Sequence, residues 1–280
     1  MFNNFYIKVY SGLNNKLFPL LSLLRIAQKE KKTISCYWDT DIYKGIYIHF
    51  DNLFEEIQDI KFINNEEFNK QLNNSSNKIY NISGSDCDKN EVIYNKNNSV
   101  NSVFYKIIYP ISYSDDNIVG KLIPYPREMI NENIFIKEFR KTIKQLIPKK
   151  QLMDLINLTV NDFKSENVLG LHIRLSDGGF QEISHVNLFN WINNFLKINS
   201  ENKIYISCDN HNMEKKIIHN FPNKILYLKY PIGNTYNDKF DRYKYGVVNA
   251  VCEMFILSKC NNFIGTPGSS FSLMTWLLRN

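Results

Sequence analysis

Apolar and polar positions alternate along the chain in a way that is typical of an α/β protein. In the second half, short apolar runs that suit buried strands are separated by stretches whose apolar residues recur every three or four positions, as on one face of a helix. The predicted elements there are a helix at 151–163, a strand from Val168, a helix through Leu188 and Leu196, a strand at 203–207, a helix at 212–220, a strand at 224–228, a helix at 247–259, a strand at 262–264 and a last helix after Gly268. This alternation predicts a parallel sheet with right-handed crossovers.

The first half opens with the same pattern. A strand at 5–10 is followed by a helical pattern at 17–27, which the lysines of 29–32 end, and then by a strand at 33–38. In the first loop Gly12, Asn14 and Asn15 suit a tight turn that faces a ligand, although a simple helix entry needs the same residues.

Two halves of this kind predict an α/β fold of two Rossmann-like domains that face one cleft. The polar stretch Pro148-Lys149-Lys150 is the preferred boundary, so the predicted domains are residues 1–148 and residues 149–280.

The region between residues 45 and 133 has a weaker pattern. We predict short helices at 50–57 and 66–71, a polar loop at 72–78, a strand at 103–111, a turn at Pro124 and Pro126, and a helix at 138–147 that Pro148 ends. Asp86, Asp88 and Glu91 lie in a polar segment without the glycine and spacing of a calcium loop, so we expect them to face solvent.

The stretch from Val168 to Glu182 combines a buried strand with chemically active side chains. His172 and Arg174 alternate with its apolar positions near the carboxyl end, where the ligands of open α/β sheets bind. Arginine suits a phosphate, because its planar guanidinium stays charged and donates two parallel hydrogen bonds. The alternative is that Arg174 pairs with Asp177 at the strand end.

Composition narrows the functional classes. The chain has 280 residues, 44% of them hydrophobic, and a net charge of +6 that is spread along its length. The basic runs are short and lack interleaved aromatic residues, so we expect no dedicated nucleic-acid surface, whereas an anionic small substrate suits the charge.

The cysteines and the apolar runs indicate in which cellular compartment the protein is expected. Five cysteines without C-x-x-C spacing suggest free thiols in a reducing environment. The first ten residues lack the features of a signal peptide, and no apolar run reaches the length of a membrane span. We therefore expect a soluble, cytoplasmic protein without a transmembrane segment.

Asp39-Thr40-Asp41 suggests a different chemistry. D-x-D is the metal-binding motif of glycosyltransferases with the GT-A fold, and two carboxylates in one loop suit a divalent cation. Such tripeptides are common by chance, and the alternative is a solvated turn at the end of a strand.

Four motifs follow one another along the chain. They are S-G-L-N-N-K-L-F at 11–18, H-I-R-L-S-D-G-G-F-Q-E at 172–182, Y-I-S-C-D-N at 205–210, and the stretch from Gly246 to Ser272 that contains E-M-F-I-L-S-K-C and G-T-P-G-S-S-F-S. In this order the chain resembles the GDP-fucose-dependent fucosyltransferases, especially the α1,6-fucosyltransferase and nodulation fucosyltransferase group, with likeness also to protein O-fucosyltransferases. The likeness covers the C-terminal half well and the first forty residues moderately.

The resemblance implies a GT-B-like enzyme that binds a nucleotide sugar in its C-terminal domain and a glycan or other acceptor in its N-terminal domain. It implies that Arg174 holds the donor pyrophosphate, that His172 contacts the nucleotide, and that Asp209 reads the guanine edge. It also implies that Ser269, Ser270 and Phe271 lie at a helix start near the phosphates.

For catalysis the resemblance implies an inverting displacement that needs no metal. Glu182 matches the family's general base, with a helix N-terminal carboxylate as its plain alternative, and Asp177 is the reserve base. Leu175 stands where the family pattern has a second arginine, so one phosphate or acceptor contact is expected to be absent.

Three other functions are compatible with the sequence. They are a GT-B enzyme that uses another nucleotide sugar, such as GDP-mannose or a dTDP-deoxysugar, a metal-dependent GT-A enzyme, and a non-catalytic nucleotide-binding module. The acceptor contacts are expected from the region between 45 and 133 and from the loop at 230–245.

Overall fold

A computed structural model describes ten stretches of the chain. They are residues 4–10, 12–40, 48–72, 79–83, 123–124, 134–163, 167–175, 185–228, 239–266 and 269–279. The predicted strand at 103–111 and the acidic segment around Asp86 lie outside these stretches. Within them, no helix is both long enough and apolar enough to cross a membrane.

The chain divides into two compact units. One is formed by residues 1–112, 134–149 and 242–247, and the other by residues 113–133, 150–241 and 248–280. Each unit contains its own sheet.

The first sheet is entirely parallel. Its strands are β1 (Asn4–Tyr10), β2 (Thr33–Trp38), β3 (Ile60–Phe62) and β4 (Ile79–Ser83), in the order β3-β2-β1-β4. The predicted strands at 5–10 and 33–38 are confirmed. Phe5, Ile7 and Val9 of the inner strand β1 are at most 1% exposed, as expected where helices cover the sheet.

Helix α1 (Leu13–Glu30) starts earlier than the apolar pattern suggested. Gly12 has the extended conformation of an N-cap, and its carbonyl accepts the first helical hydrogen bond from Lys16 N–H at 3.1 Å. Asn14 and Asn15 therefore lie in the first helical turn, and the prediction that they belong to a loop was wrong. Amide side chains are tolerated there because the first backbone N–H groups have no partner inside the helix.

The end of α1 follows the prediction from its lysines. Lys31 has the left-handed conformation with φ 53°, and the N–H groups of Lys31 and Lys32 bond the carbonyls of Gln28 and Ala27. The helix packs against α3 (Ile134–Ile143), where the rings of Phe18 and Phe139 lie 6.2 Å apart.

Two helices in the weakly patterned region were predicted wrongly. Residues 50–57 form only a 3-10 turn at Phe50–Asn52, and α3 ends at Ile143 rather than at 147. The reason is an extended pairing between the two segments. Glu55 N–H bonds the carbonyl of Ile147 at 2.7 Å, and Lys149 N–H bonds the carbonyl of Leu53 at 2.9 Å. The predicted helix at 66–71 is confirmed as α2 (Asn65–Leu72).

The second unit alternates helices and strands as predicted. Its elements are β5 (Ile123–Pro124), α4 (Lys150–Val160) with a 3-10 turn at Asn161–Phe163, β6 (Val168–Ile173), α5 (His185–Ile198), β7 (Lys203–Cys208), α6 (His211–Asn220), β8 (Ile225–Leu226), α7 (Lys239–Lys259), β9 (Asn262–Gly265) and α8 (Ser270–Leu278). Helix α7 begins eight residues before the predicted helix at 247–259, because its first turns are polar and charged and carry no apolar repeat.

The strand order of the second sheet is β5-β9-β6-β7-β8. The pairs β6–β7, β7–β8 and β6–β9 are parallel, whereas β5 runs antiparallel to β9. Pro124 therefore belongs to an edge strand rather than to the predicted turn, and an edge strand tolerates a residue that lacks an N–H. The predicted α/β class with parallel sheets is confirmed.

The direction in which the chain adds strands reverses between β6 and β9. From β6 it proceeds outwards through β7 to β8, and it then returns to place β9 on the other side of β6. Such a topological switch point leaves a crevice beyond the carboxyl ends of the strands. The end of β6 and the end of β9 are therefore where a ligand of this sheet is expected.

Gly170 allows α7 to lie close to the sheet. A Cβ atom at this position would lie 3.0 Å from Leu257 Cδ2 and 3.1 Å from Cys260 Sγ. Both contacts are tighter than ordinary packing, and protein interiors have little free volume to relieve them.

We predict that Gly170→Ala lowers the free energy of unfolding by about 1–3 kcal/mol, because the added methyl group overpacks the helix–sheet contact. Urea denaturation measures the change. Gly12→Ala is the matched control, since no atom lies within 4 Å of the position that its added methyl group would take; an equal loss in both variants would contradict the packing explanation.

Candidate functional site

The candidate site lies at the switch point of the second sheet and is centred on His172. This side chain, near the end of β6, is 5% exposed. Its Nδ1 lies 2.7 Å from Oγ of Ser272, in the first turn of α8. Its ring stacks on Phe271 with the centroids 4.5 Å apart and the planes at 29°. The imidazole is thus fixed in both position and plane.

Thr266 joins the ends of the two central strands. Its hydroxyl accepts a hydrogen bond from Arg174 N–H at 3.0 Å and donates one to the carbonyl of His172 at 3.1 Å. Its own N–H donates to Ser272 Oγ at 3.0 Å. The backbone on both sides of His172 is therefore held against the residue that follows β9.

The start of α8 faces the same junction. Ser269 is the N-cap, its hydroxyl accepting from Ser272 N–H at 3.5 Å, and Ser270 and Phe271 are the first helical residues. The first N–H groups of a helix have no partner within it and attract anions. The structure thus places Ser269, Ser270 and Phe271 at a helix start, as the motif resemblance implied.

Arg174 brings positive charge to the junction. It follows β6 directly and is partly exposed. Burial, with the Arg174 guanidinium as a smaller cause, lowers the pKa of His172 to about 3. The imidazole is consequently neutral over the physiological range, and the positive charge at this strand end belongs to the arginine.

Asp209 lies beside this strand end, immediately after β7. It is exposed, and its Oδ1 accepts a hydrogen bond from Leu175 N–H at 2.7 Å. Leu175 packs against the hydrophobic cluster on the α5 and α6 side of the sheet. Asp209 therefore holds the backbone after β6, and Leu175, where the family pattern has an arginine, contributes to the core.

Glu253 is a residue that the sequence reasoning missed. It projects from α7, and its carboxylate accepts a hydrogen bond from Ser207 Oγ at 2.7 Å. Ser207 is paired in register with His172 on the neighbouring strand. Although part of the residue reaches solvent, burial of the carboxyl group raises the pKa of Glu253 to about 8, and the nearby Glu214 acts in the same direction. The sequence feature that could have identified Glu253 was a lone acidic residue in an apolar helical run.

The first unit contains a separate cluster of charges after β2. Asp39 is 4% exposed and lies 3.6 Å from Lys8 Nζ, and the carbonyl of Asp39 accepts a hydrogen bond from Lys16. Burial lowers the pKa of Lys16 to about 8, against the opposing effect of Asp39. The solvated turn considered for Asp39 is therefore wrong, because this carboxylate is buried beside lysines.

The metal-binding alternative for Asp39 and Asp41 is only partly described, because Asp41 lies outside the described residues. The two candidate bases, Asp177 and Glu182, also lie outside them. Within the described stretches, no group of three or more His, Cys, Asp and Glu side chains is placed to hold a metal ion.

The N-terminal residues Gly12, Asn14 and Asn15 lie at the carboxyl end of β1. Gly12 caps α1, and Asn14 is 5% exposed. Of the two interpretations open for this segment, the structure shows the helix entry.

Taken together, the fold and the site define an α/β protein with an anion-binding arrangement at the switch point of a parallel sheet. An arginine, a helix N-terminus and a neutral imidazole meet at one strand end. This combination suits a ligand that carries a phosphate group and also offers hydrogen-bond acceptors.

Comparison with known proteins identifies the fold. No family model matches the chain, and no curated protein matches it in sequence. A selenomethionine structure of fucosyltransferase NodZ from Bradyrhizobium aligns with a TM-score of 0.59 at 14% identity, over 100% of this chain and 93% of that one. NodZ alpha-1,6-fucosyltransferase soaked with GDP-fucose aligns with a TM-score of 0.54 at 15% identity, over 98% and 92% of the two chains.

A plant enzyme shares the architecture. A mutant of Arabidopsis thaliana FUT1 in complex with GDP aligns with a TM-score of 0.50 at 14% identity, over 98% of this chain and 68% of that one. The resemblance that the motifs suggested is thus confirmed as a resemblance of fold, which is what such low identities establish.

We predict that acid destabilises the protein through His172. Its pKa is lower in the folded than in the unfolded chain, so the unfolded chain binds more protons between about pH 6.5 and pH 3, and stability falls as the pH falls through this window. Between pH 7 and pH 5 the loss is about 2 kcal/mol. Denaturation of the wild type and His172→Gln at both pH values tests this; the exposed His219→Gln is the matched control. A wild-type dependence retained in His172→Gln would contradict the assignment.

We predict the opposite dependence for Glu253. The pKa of Glu253 is raised to about 8 in the folded chain. The protonated carboxyl group therefore contributes its full stabilisation of the folded chain below about pH 4.5, and this contribution is lost as the pH rises towards 8. Glu253→Gln imitates the protonated carboxyl group and should be more stable than the wild type above pH 7, by about 3–4 kcal/mol. Thermal denaturation at pH 5 and pH 8, with Glu201→Gln as the exposed control, measures the difference. A gap between wild type and Glu253→Gln that does not change with pH would refute the assignment.

Proposed function

We propose that the protein is an inverting glycosyltransferase that moves L-fucose from GDP-β-L-fucose to a hydroxyl group of a glycan or other acceptor. The observation that carries the proposal is the junction at which Thr266 joins the backbone of Arg174 to the start of α8. The shared fold supports it, because NodZ alpha-1,6-fucosyltransferase was soaked with GDP-fucose and co-crystallised with GDP.

In this proposal the donor diphosphate lies at the carboxyl end of β6. Arg174 and the backbone N–H groups at Ser270 and Phe271 bind its oxygens, and they stabilise the negative charge that develops on the departing GDP. His172 contacts the nucleotide as a neutral hydrogen-bonding group. Arg174 supplies the positive potential, so the proposed reaction needs no metal cofactor.

The proposed chemistry is one displacement at C1 of the sugar. The acceptor oxygen forms a bond to C1 while the bond from C1 to the phosphate oxygen breaks, and the electron pair leaves with GDP. Glu182 takes the acceptor proton, or Asp177 does so as the reserve base. Attack opposite to the leaving group converts the β-linked donor into an α-linked product.

The acceptor and the architecture belong to the same proposal. We assign the donor to the 149–280 domain and the glycan acceptor to the 1–148 domain of a GT-B-like enzyme. The proposed acceptor contacts come from the region between residues 45 and 133 and from residues 230–245, the last seven of which belong to α7.

A cytoplasmic location is proposed on the basis of the thiols. Within the described stretches Cys36, Cys208, Cys252 and Cys260 are free and buried. Burial raises the pKa of both Cys252 and Cys260 to about 12, which keeps their thiols protonated and unreactive. Free thiols of this kind suit a reducing compartment.

One observation favours a second candidate, a GT-B enzyme with a different nucleotide sugar. Asp209, the proposed reader of guanine, already accepts a hydrogen bond from Leu175 N–H. If that bond occupies the carboxylate, Arg174 would still hold a diphosphate, but the base would be selected by other groups. GDP-mannose and dTDP-deoxysugars are the donors to compare.

We predict that GDP binds without a metal and that Arg174→Ala weakens binding by about 10- to 100-fold, the effect of losing charge-assisted hydrogen bonds. Calorimetric titration with GDP, UDP and dTDP, each with magnesium and with EDTA, measures this. Arg174→Lys keeps the charge but loses the planar fork, so it should recover affinity only in part. Arg25→Ala, which removes a surface pair with Glu138, is the control.

The outcomes separate the candidates. If the protein binds another nucleotide more tightly than GDP, the proposed donor is wrong. If EDTA abolishes binding, a metal-dependent enzyme is indicated. If GDP binds but GDP-fucose gives no turnover across an acceptor panel, a binding module is favoured. A Glu182→Gln variant that binds GDP normally and loses turnover would support the proposed base.

A further inference from the structure

Ser272 occupies a central position in the hydrogen-bond network around His172. The side chain is 0% exposed, and its Oγ lies between two groups. Thr266 N–H donates to it at 3.0 Å, and His172 Nδ1 lies 2.7 Å away on the other side.

The number of hydrogens in this network restricts the tautomer of His172. A serine hydroxyl has one hydrogen to donate and can accept at its lone pairs. The Thr266 N–H can only donate, so Ser272 Oγ is an acceptor in that bond. Among the described residues, His172 Nδ1 is the acceptor within reach of the Ser272 hydrogen. If Nδ1 itself carried a proton, both neighbours of Ser272 would be donors.

The arrangement therefore favours a bond in which Ser272 O–H donates to an unprotonated Nδ1. A neutral imidazole has one N–H, which must then be on Nε2. The stacking of the ring on Phe271, with centroids 4.5 Å apart, fixes the plane in which Nε2–H points.

We propose that Ser272 is a positioning residue that holds His172 in the neutral Nε2–H tautomer, so that the ring presents a hydrogen-bond donor to an acceptor atom of the bound nucleotide. The tautomer follows from the network alone, whereas its use in binding rests on the proposed function. Because Ser272 is 0% exposed, it acts through the ring.

In this assignment the junction of β6, β9 and α8 determines the tautomer of His172. Because a lone pair of Ser272 Oγ accepts from Thr266 N–H, the serine hydrogen is directed at His172. Backbone geometry at the end of β9 thus sets the position of one proton on a side chain of β6. Burial supports the arrangement, because it lowers the pKa of His172 to about 3 and prevents a second proton from reaching Nδ1.

Nitrogen-15 NMR tests the tautomer without any ligand. Long-range proton–nitrogen correlation spectra of protein with labelled histidine distinguish a bare ring nitrogen from a protonated one at each of the five histidines. His172→Gln identifies the resonances of His172. We predict a bare Nδ1 and a protonated Nε2 from about pH 8 to about pH 5. A protonated Nδ1 in the wild type would overturn the proposal.

Variants test the role of Ser272. In Ser272→Ala we expect the Nε2–H pattern to give way to a mixture of tautomers and the affinity for GDP to fall about tenfold. Ser272→Thr keeps the hydroxyl group and should restore both. Thr275→Val is the matched control on the same helix, because Thr275 is 0% exposed and its hydroxyl lacks a hydrogen-bond partner among the described residues.

The two proposals can fail separately. If no nucleotide binds the wild type but the Nε2–H pattern is present and depends on Ser272, the proposed function fails and the tautomer assignment stands. If GDP binds and Ser272→Ala changes neither the spectrum nor the affinity, the proposed function stands and the role of Ser272 is refuted. If Ser272→Ala does not fold, the wild-type spectrum alone decides the tautomer, and Ser272→Cys, which replaces the hydroxyl group by the weaker donor of a thiol, decides the role of the hydroxyl.

Discussion

The hydroxyl group of Thr266 is the interaction on which the site depends. It accepts from the backbone N–H of Arg174 and donates to the backbone carbonyl of His172, so the paired strands β6 and β9 are also joined beyond the end of their ladder. The residue is 0% exposed, and each group that it satisfies would be costly to leave without a partner away from water, by about 1–3 kcal/mol. The bridge fixes the backbone from which the side chains of His172 and Arg174 project.

The electrostatics of the site follow from burial. An imidazole in this position would add a second positive charge beside Arg174, but burial and the guanidinium together lower its pKa and keep it neutral. A carboxyl group on α7 is likewise kept largely protonated. The positive charge at this strand end is therefore that of Arg174, with the partial charge of the α8 N-terminus beside it and the Asp209 carboxylate nearby.

Most of the fold could be predicted because its strands are buried on both faces. The continuous apolar run at β6 and the periodic apolar residues of α5 have one consistent interpretation each. The predictions of secondary structure failed where the same side chains suit both a helix and an extended segment. Phe50, Leu53 and Phe54 have helical spacing, but after one turn at Phe50 the backbone of residues 53–55 pairs with residues 147–149. Such a long-range partner is not visible in a local pattern.

The site was predicted in part for a related reason. Motifs at strand ends identified His172, Arg174 and Ser269, because ligands of parallel sheets bind there. Thr266 and Ser272 lie within a quoted motif without an assigned role, since their importance lies in hydrogen bonds across about 100 residues of chain. Glu253 was missed because an acidic residue on a helix is usually a solvated one.

The protonation of Glu253 changes how pH profiles of this protein are to be interpreted. An inflection near neutrality is ordinarily assigned to a histidine, whose unperturbed pKa lies there. At this site the imidazole titrates far below that range, and the pKa of the Glu253 carboxyl group is about 8. Among the described residues, Lys16 of the first unit also has a pKa of about 8. The two assignments differ in the charge that forms: ionisation of Glu253 creates a negative charge beside Ser207, whereas deprotonation of a histidine removes a positive one. A loss of ligand affinity on the alkaline side would then reflect electrostatic repulsion by a carboxylate, and chemical modification of histidine would leave that limb of the profile in place.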